Sequence, residues 1–261
     1  MLQNLKLLLS HRELLWLWTM REIRIRYKQS VLGVLWAVLQ PLSLVVIFSV
    51  VFSYFIRIPT GDIPYPIFSF TAMLPWTLLV TSLGFASSSL INNVNLVTKI
   101  HFPREILPIS VIIASVIDFL ITSVFLMILI LYYGLPINLN TIIIAPILVV
   151  IQVLLLIGVA LFLSATNVFY RDLRFVVPLG IQLWMYATPI IYPVTLVPER
   201  LRTLYMLNPM AVLIEAYRDI LLRGTWPDWN YLGLATAMST TLFVLGYIYF
   251  KKVEWQFADI I

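Results

Sequence analysis

The chain has 261 residues, 61% hydrophobic and only 11% charged, with a mean hydropathy of +0.98, whereas a soluble domain is about 45–50% apolar and about 25% charged. That composition describes an integral membrane protein and leaves no length for a soluble catalytic domain, because spans of roughly 20 residues use nearly all of it. The 17 Lys and Arg against 12 Asp and Glu act in a membrane chain as an orientation signal, and they do not point to nucleic acid. Zero cysteines exclude disulfides and thiolate metal sites, and two distant histidines, His11 and His101, argue against a histidine metal site.

The start, MLQNLKLLLSHRELLWLWTM, lacks a long uncharged core followed by a small-residue cleavage site, so it reads as retained. Within 11–29, Trp16, Met20, Ile23 and Tyr27 recur at helical spacing, and Arg21, Arg24 and Lys28 follow on a neighbouring face. This pattern predicts an amphipathic helix on the cytoplasmic membrane surface, with a generic basic anchor as the alternative. Ser30 is placed to cap the helix that follows.

Apolar runs then predict six spans at about 31–56, 67–91, 107–133, 141–166, 175–197 and 231–250. Prolines lie inside several of them (Pro41, Pro75, Pro146, Pro178, Pro189 and Pro193), which bends a helix and frees backbone groups for its neighbours to satisfy. The third span contains Asp118, the one acidic residue deep in an apolar run. No basic partner is evident inside the spans, so it reads either as a neutral hydrogen bond to a neighbouring helix or as a proton relay. An even number of spans puts both ends on one side. Twelve of the 17 basic residues fall on that side and five on the other, which predicts cytoplasmic termini.

Segment 203–223, TLYMLNPMAVLIEAYRDILLR, is too charged to span and too apolar for a loop. It reads as a re-entrant helix beginning near Asn208-Pro209, in which Arg218 pairs with Glu215 three residues earlier. The alternative is an amphipathic helix lying flat on the outer surface. Trp226, Trp229 and Tyr231 form an interfacial aromatic belt before the last span.

The sequence contains no phosphate-binding loop, no H-E-x-x-H and no nucleophile elbow, so enzyme chemistry and a resident cofactor are not expected. Four stretches in order carry a resemblance: R-x-R-Y-K-x-S-x-L-G-x-L-W-x-x-x-x-P from Arg24 to Pro41, N-L-V-T-K-I-H-F-P-R-E-I-L-P from Asn95 to Pro108, N-V-F-Y-R-D-L from Asn167 to Leu173, and P-I-I-Y-P with N-P-M between Pro189 and Met210. Together they resemble the permease subunit of type-2 ABC exporters, most closely those that export O-antigen polysaccharide or teichoic acid. The resemblance implies an all-α fold, with residues 1–30 as an interface helix and 31–261 as a six-span permease domain. It further implies a homodimer in the bacterial plasma membrane, bound to two cytoplasmic ATPase subunits that carry ATP and Mg, and a lipid-linked polysaccharide as substrate.

By the same resemblance the 92–106 loop is the coupling segment, with Lys99, His101, Phe102, Pro103, Arg104 and Glu105 as candidates to dock on the ATPase. Arg24, Arg26 and Lys28 lie where a lipid-linked pyrophosphate would arrive, although topology signalling explains the same residues. The first and fifth spans would line the channel, which makes Phe48, Phe52, Phe55, Trp184 and Tyr186 candidates for its wall. The rival readings are an exporter of a drug, lipid or small amphiphile, a proton-coupled transporter using Asp118, and a membrane glycosyltransferase.

Overall fold

The structure is a computed structural model that describes residues 10–100, 102–135 and 138–260. Among the described residues it is all-helical and without strands. The elements in order are α1 (Arg12–Tyr27), α2 (Gly33–Phe55), α3 (Tyr65–Ala86), the short α4 (Val94–Lys99), α5 (Ile106–Tyr132), α6 (Leu139–Phe169), α7 (Leu173–Tyr186), α8 (Glu199–Tyr205), α9 (Pro209–Arg218), α10 (Trp229–Val253) and α11 (Phe257–Ile260).

Glu13 in the first turn of α1 and Arg24 and Arg26 in the last complement the helix dipole. The helix stops where Lys28 turns extended and Gln29 takes φ 62°. The Gly33 amide then donates to Ser30 Oγ at 3.1 Å, so Ser30 does cap the entry to α2. Inside α2, Pro41 is buried, and the last seven residues, Ser49–Phe55, wind as a π-helix.

Among the described residues, five helices are long and apolar enough to cross a bilayer: α2, α3, α5, α6 and α10. α3 is the central pillar, buried along most of its length, with Phe68, Phe70 and Trp76 filling the core among α5, α6 and α9. Its Pro75 carbonyl accepts from Gln152 of α6 at 2.6 Å, so a neighbouring helix supplies a backbone partner at the proline. α6 and α10 touch backbone to backbone at Gly158 and Gly246, where a Cβ on Gly246 would sit 2.1 Å from the Gly158 carbonyl oxygen. Only glycine permits that approach.

The fifth predicted span, 175–197, folds differently from expectation. It becomes the 14-residue α7, about 21 Å long at 1.5 Å per residue, and then leaves the helix at Ala187. Pro189 and Pro193 cannot continue an α-helix, so residues 188–193 run as irregular, mostly buried chain. The 203–223 segment likewise divides into α8, a turn at 206–208, and α9 with a π-turn Asp219–Arg223, because Asn208-Pro209 restarts the helix and the Asn208 side chain accepts from the Met210 amide. Every residue of α9 is buried, so it is not a helix lying on the surface. Tyr217 reaches Phe119, midway along α5, at 6.4 Å between ring centroids, and Gly224 returns to Asn138 at the far end.

Candidate functional site

Polar groups gather in four places, two at the end of the bundle that carries α1 and α11, one between spans, and one at the opposite end around α9. At the α1 end, the turn at residues 102–105 follows α4 in sequence and is clamped to the close of α10. The Arg104 amide donates to Glu254 Oε1 at 3.3 Å, and its guanidinium donates to the Glu254 carbonyl and, at 3.3 Å, to the Val97 carbonyl. Lys251 bridges Glu105 at 2.7 Å and Glu254 at 2.9 Å. An open groove of about 520 Å³ lies against this clamp, lined by Ile100, Phe102, Pro103, Arg104 and Trp255 among others. Of the predicted coupling residues, Lys99 is exposed, Phe102 packs on the Phe250–Phe257 cluster, and Pro103 is buried. Glu105 is fully buried on Lys251, so it braces the turn from within and does not present a docking surface. His101 lies outside the described residues.

The second place is the seat of α1. Thr19 is buried and Arg26 half-buried; Met20, Ile23 and Tyr27 of the expected apolar face are half-buried too, and Trp16 departs from it by facing out. Arg26 donates to Asp118 at 2.8 Å, to Ser115 Oγ at 3.1 Å and to the Val111 carbonyl at 3.2 Å. The Tyr27 hydroxyl donates to the other Asp118 oxygen at 2.7 Å. Burial, reinforced by the adjacent carboxylate, pushes the Tyr27 phenol well above its ordinary pKa and keeps it a donor. Two expectations change. Asp118 has a basic partner, supplied from 92 residues away, and Arg26 is engaged and leaves the set of free headgroup charges. Arg24 and Lys28 remain exposed.

Between the spans a cleft of about 330 Å³ separates α2, α3 and α7, lined by Gln40, Thr77, Thr81 and Gln182 beside Pro41, Trp76 and Met185. Gln40 and Gln182 are exposed, and neither amide has a hydrogen-bond partner among the described residues. An unpartnered amide facing hydrocarbon costs several kcal/mol, so this face is not a lipid face. Gln40, Thr77 and Thr81 also line a cavity of about 530 Å³ that runs under α1 to Asp118, so the polar surface is continuous. Aromatic reasoning missed these residues. The signal was present in sequence as two glutamines inside apolar runs.

The aromatic residues expected along the channel fall in three separate places. Phe48 meets Phe52 edge-on at 5.9 Å, and Phe52 stacks on Tyr65 at 6.5 Å. The π-helix rotates Phe55 off that stripe onto Tyr54 at 5.6 Å, leaving it 71% exposed. Trp184 lies edge-on to Trp76 at 6.2 Å, close to the cleft, and donates to Asn208 at 2.9 Å. Tyr186 is exposed at the end of α7.

The fourth place explains the charge in α9. Arg218 is wholly buried, pairs with Glu215 at 2.9 Å, lies 3.7 Å over the Phe68 ring, and donates to the Ile190 carbonyl at 2.9 Å. Tyr65 donates to the Ile191 carbonyl at 2.8 Å, and Asn208 donates to the Ala187 carbonyl at 3.0 Å and to Thr188 Oγ at 2.9 Å. These groups satisfy the backbone that the broken α7 leaves open, which is what irregular chain needs within a membrane.

These features define an all-helical integral membrane protein with a polar cleft between its spans; among the described residues, no cluster of acidic, histidine or cysteine side chains could hold a metal. The chain belongs to the ABC-2 type transporter family, whose model matches residues 13–222. It is 32% identical over 243 residues, 93% of each chain, to the O-antigen export system permease protein RfbA of Klebsiella pneumoniae. It is 31% identical over an alignment of 262 residues, 99% of each chain, to the protein of that name in Myxococcus xanthus. The polysialic acid transport protein KpsM of Escherichia coli is 22% identical over 246 residues, 90% of this chain and 92% of that one.

Proposed function

We propose that this chain is the membrane subunit of an ATP-driven exporter that moves a lipid-linked polysaccharide, of the O-antigen or teichoic-acid type, out of a bacterial cytoplasm across the plasma membrane. The observation that carries the reading is the uncharged polar cleft of Gln40, Thr77, Thr81 and Gln182 between α2, α3 and α7. Amides and hydroxyls exchange hydrogen bonds with sugar hydroxyls and carry no net charge that would attract ions. Phe48, Phe52 and Trp184 contribute apolar surface near this path, and Phe55 and Tyr186 do so from its exposed rim. The names of the relatives, two of them O-antigen export permeases, support the same cargo.

The cleft is open on one side of a single copy, so a homodimer in which two copies face each other across α2 and α7 would close it. The sequence holds no phosphate-binding loop. In keeping with the family, we assign ATP and Mg to separate subunits, two per dimer, docked on the groove beside Lys99, Phe102 and Arg104. The excess of basic residues on the side of both termini orients that groove to the cytoplasm. Arg24 and Lys28, exposed on α1, meet the pyrophosphate headgroup by charge-assisted bonds. Residues 1–30 thus form the interface unit and 31–261 the permease.

Deletion of the gene is the direct test. The expected result is loss of surface polysaccharide with undelivered lipid-linked polymer accumulating inside; unchanged surface glycans and no intermediate would refute the cargo. Phe102→Ala is expected to leave the subunit in the membrane but to release the ATPase on co-purification, and retention of both binding and export would refute the groove.

A further inference from the structure

At the end of the bundle opposite α1, a cleft of about 350 Å³ opens between the chain before α8, α8 itself, α9 and the start of α10, with Thr195, Arg202, Glu215, Asp219, Arg223 and Tyr231 on its walls. Most of this charge is matched within the protein. Glu215 accepts from Arg218 at 2.9 Å and from Arg223 at 3.0 Å, and Asp219 accepts from Arg223 at 2.6 Å. Arg202 is the exception. Its side chain makes no hydrogen bond or ion pair among the described residues, and its Nε is buried without a partner. A desolvated guanidinium N–H without an acceptor is costly, so Arg202 is built to receive one from outside. The hydroxyls of Thr195 and Tyr231 on the same wall are also without partners among the described residues.

We propose that this cleft binds a neutral sugar ring. Its volume is at the small end of the range for small-molecule pockets, room for a sugar unit or two. Its charge selects against anions, because Glu215, Asp219 and Asp228 outnumber Arg202 and Arg223 in the lining. A metal cation is unsupported, since no group of acidic side chains among the described residues is placed to hold one. A vicinal diol fits: its protons go to the free lone pairs of Asp219 while its oxygens accept from Arg202, both charge-assisted bonds. Trp226 and Trp229, 6.0 Å apart and half exposed on either side of the Pro227–Asp228 wall, offer flat apolar surface to the C–H face of a ring. The inference rests on the export reading for why a glycan reaches this face, and on the cleft alone for the chemistry. The site would hold the leading sugars as they emerge.

The test is saturation-transfer NMR on the full chain in lipid nanodiscs, with the methyl glycoside of a neutral hexose, the matching uronic acid and inorganic phosphate as probes. The neutral glycoside is expected to receive saturation and the two anions to leave it undisturbed. Arg202→Ala is expected to weaken binding roughly 10-fold, the equivalent of one charge-assisted hydrogen bond, and Thr195→Val by a smaller factor in a chain that keeps every ion pair. Unchanged binding in both variants, preference for uronate or phosphate, or no transfer to the neutral glycoside would overturn the proposal. If gene deletion leaves surface glycans intact while Arg202-dependent saturation persists, the export reading falls and the sugar cleft stands.

Discussion

Arg218 and Arg26 each carry a guanidinium into an apolar helical bundle and each ends on a carboxylate, yet the two pairs do different work. Arg218 and Glu215 sit on one helix, three residues apart, and the arginine also closes the Ile190 carbonyl of the broken α7. This pair repairs the backbone where prolines interrupt a crossing. Arg26 and Asp118 join two helices 92 residues apart, with Tyr27 and Ser115 completing the contact. This pair fastens α1 to α5. A buried ion pair is weak evidence for stability; what these two share is that each holds an element the apolar core would not hold alone.

The largest expected effect breaks the first pair. Arg218→Ala leaves the Ile190 carbonyl open and a cavity over Phe68, and a destabilisation of about 3 kcal/mol or more is expected, read as loss of monodisperse protein in detergent. Glu215→Gln leaves the wholly buried Arg218 charge without its carboxylate, so a loss of similar size is expected; a much smaller loss would mean that the Ile190 carbonyl, and not the ion pair, is what matters.

Next comes the second pair. Asp118→Ala leaves Arg26 buried and unmatched, whereas Arg26→Met combined with Asp118→Leu removes both charges. A double-mutant cycle on thermal stability is expected to give a coupling of about 1–3 kcal/mol, and the double variant is expected to be stable but to hydrolyse ATP in the complex without exporting. Coupled export in that variant would reduce the latch to a packing contact.

The smallest effect on stability is expected at the cleft. Gln40→Leu with Gln182→Leu replaces two unpartnered amides by apolar groups, so the thermal midpoint is expected to hold or rise while export falls several-fold. A variant that exports normally would move the conduit elsewhere.

Local pattern made part of this legible. Segment class, the crossing from apolar runs, the cap at Ser30 and the Glu215–Arg218 pair all follow from neighbours in sequence, because helical periodicity brings residues three or four apart onto one face. The end of α7 was half visible: Pro189 and Pro193 announced a break, but the partners that make a break tolerable, Tyr65, Asn208 and Arg218, come from three other segments. Phe55 was assigned to an aromatic stripe by a spacing of three, which a π-helix does not preserve.

Composition and periodicity alone therefore decided that this is a helical membrane protein, where its crossings fall and which basic residues crowd one side, since the bilayer imposes length and hydropathy on every span taken singly. The tertiary fold decided which charges are free. Arg26 was paired, Glu105 turned inward, Arg202 left open and two glutamines aligned across a cleft, because a polar group in an apolar bundle is defined by the partner it meets, and that partner lies on another helix.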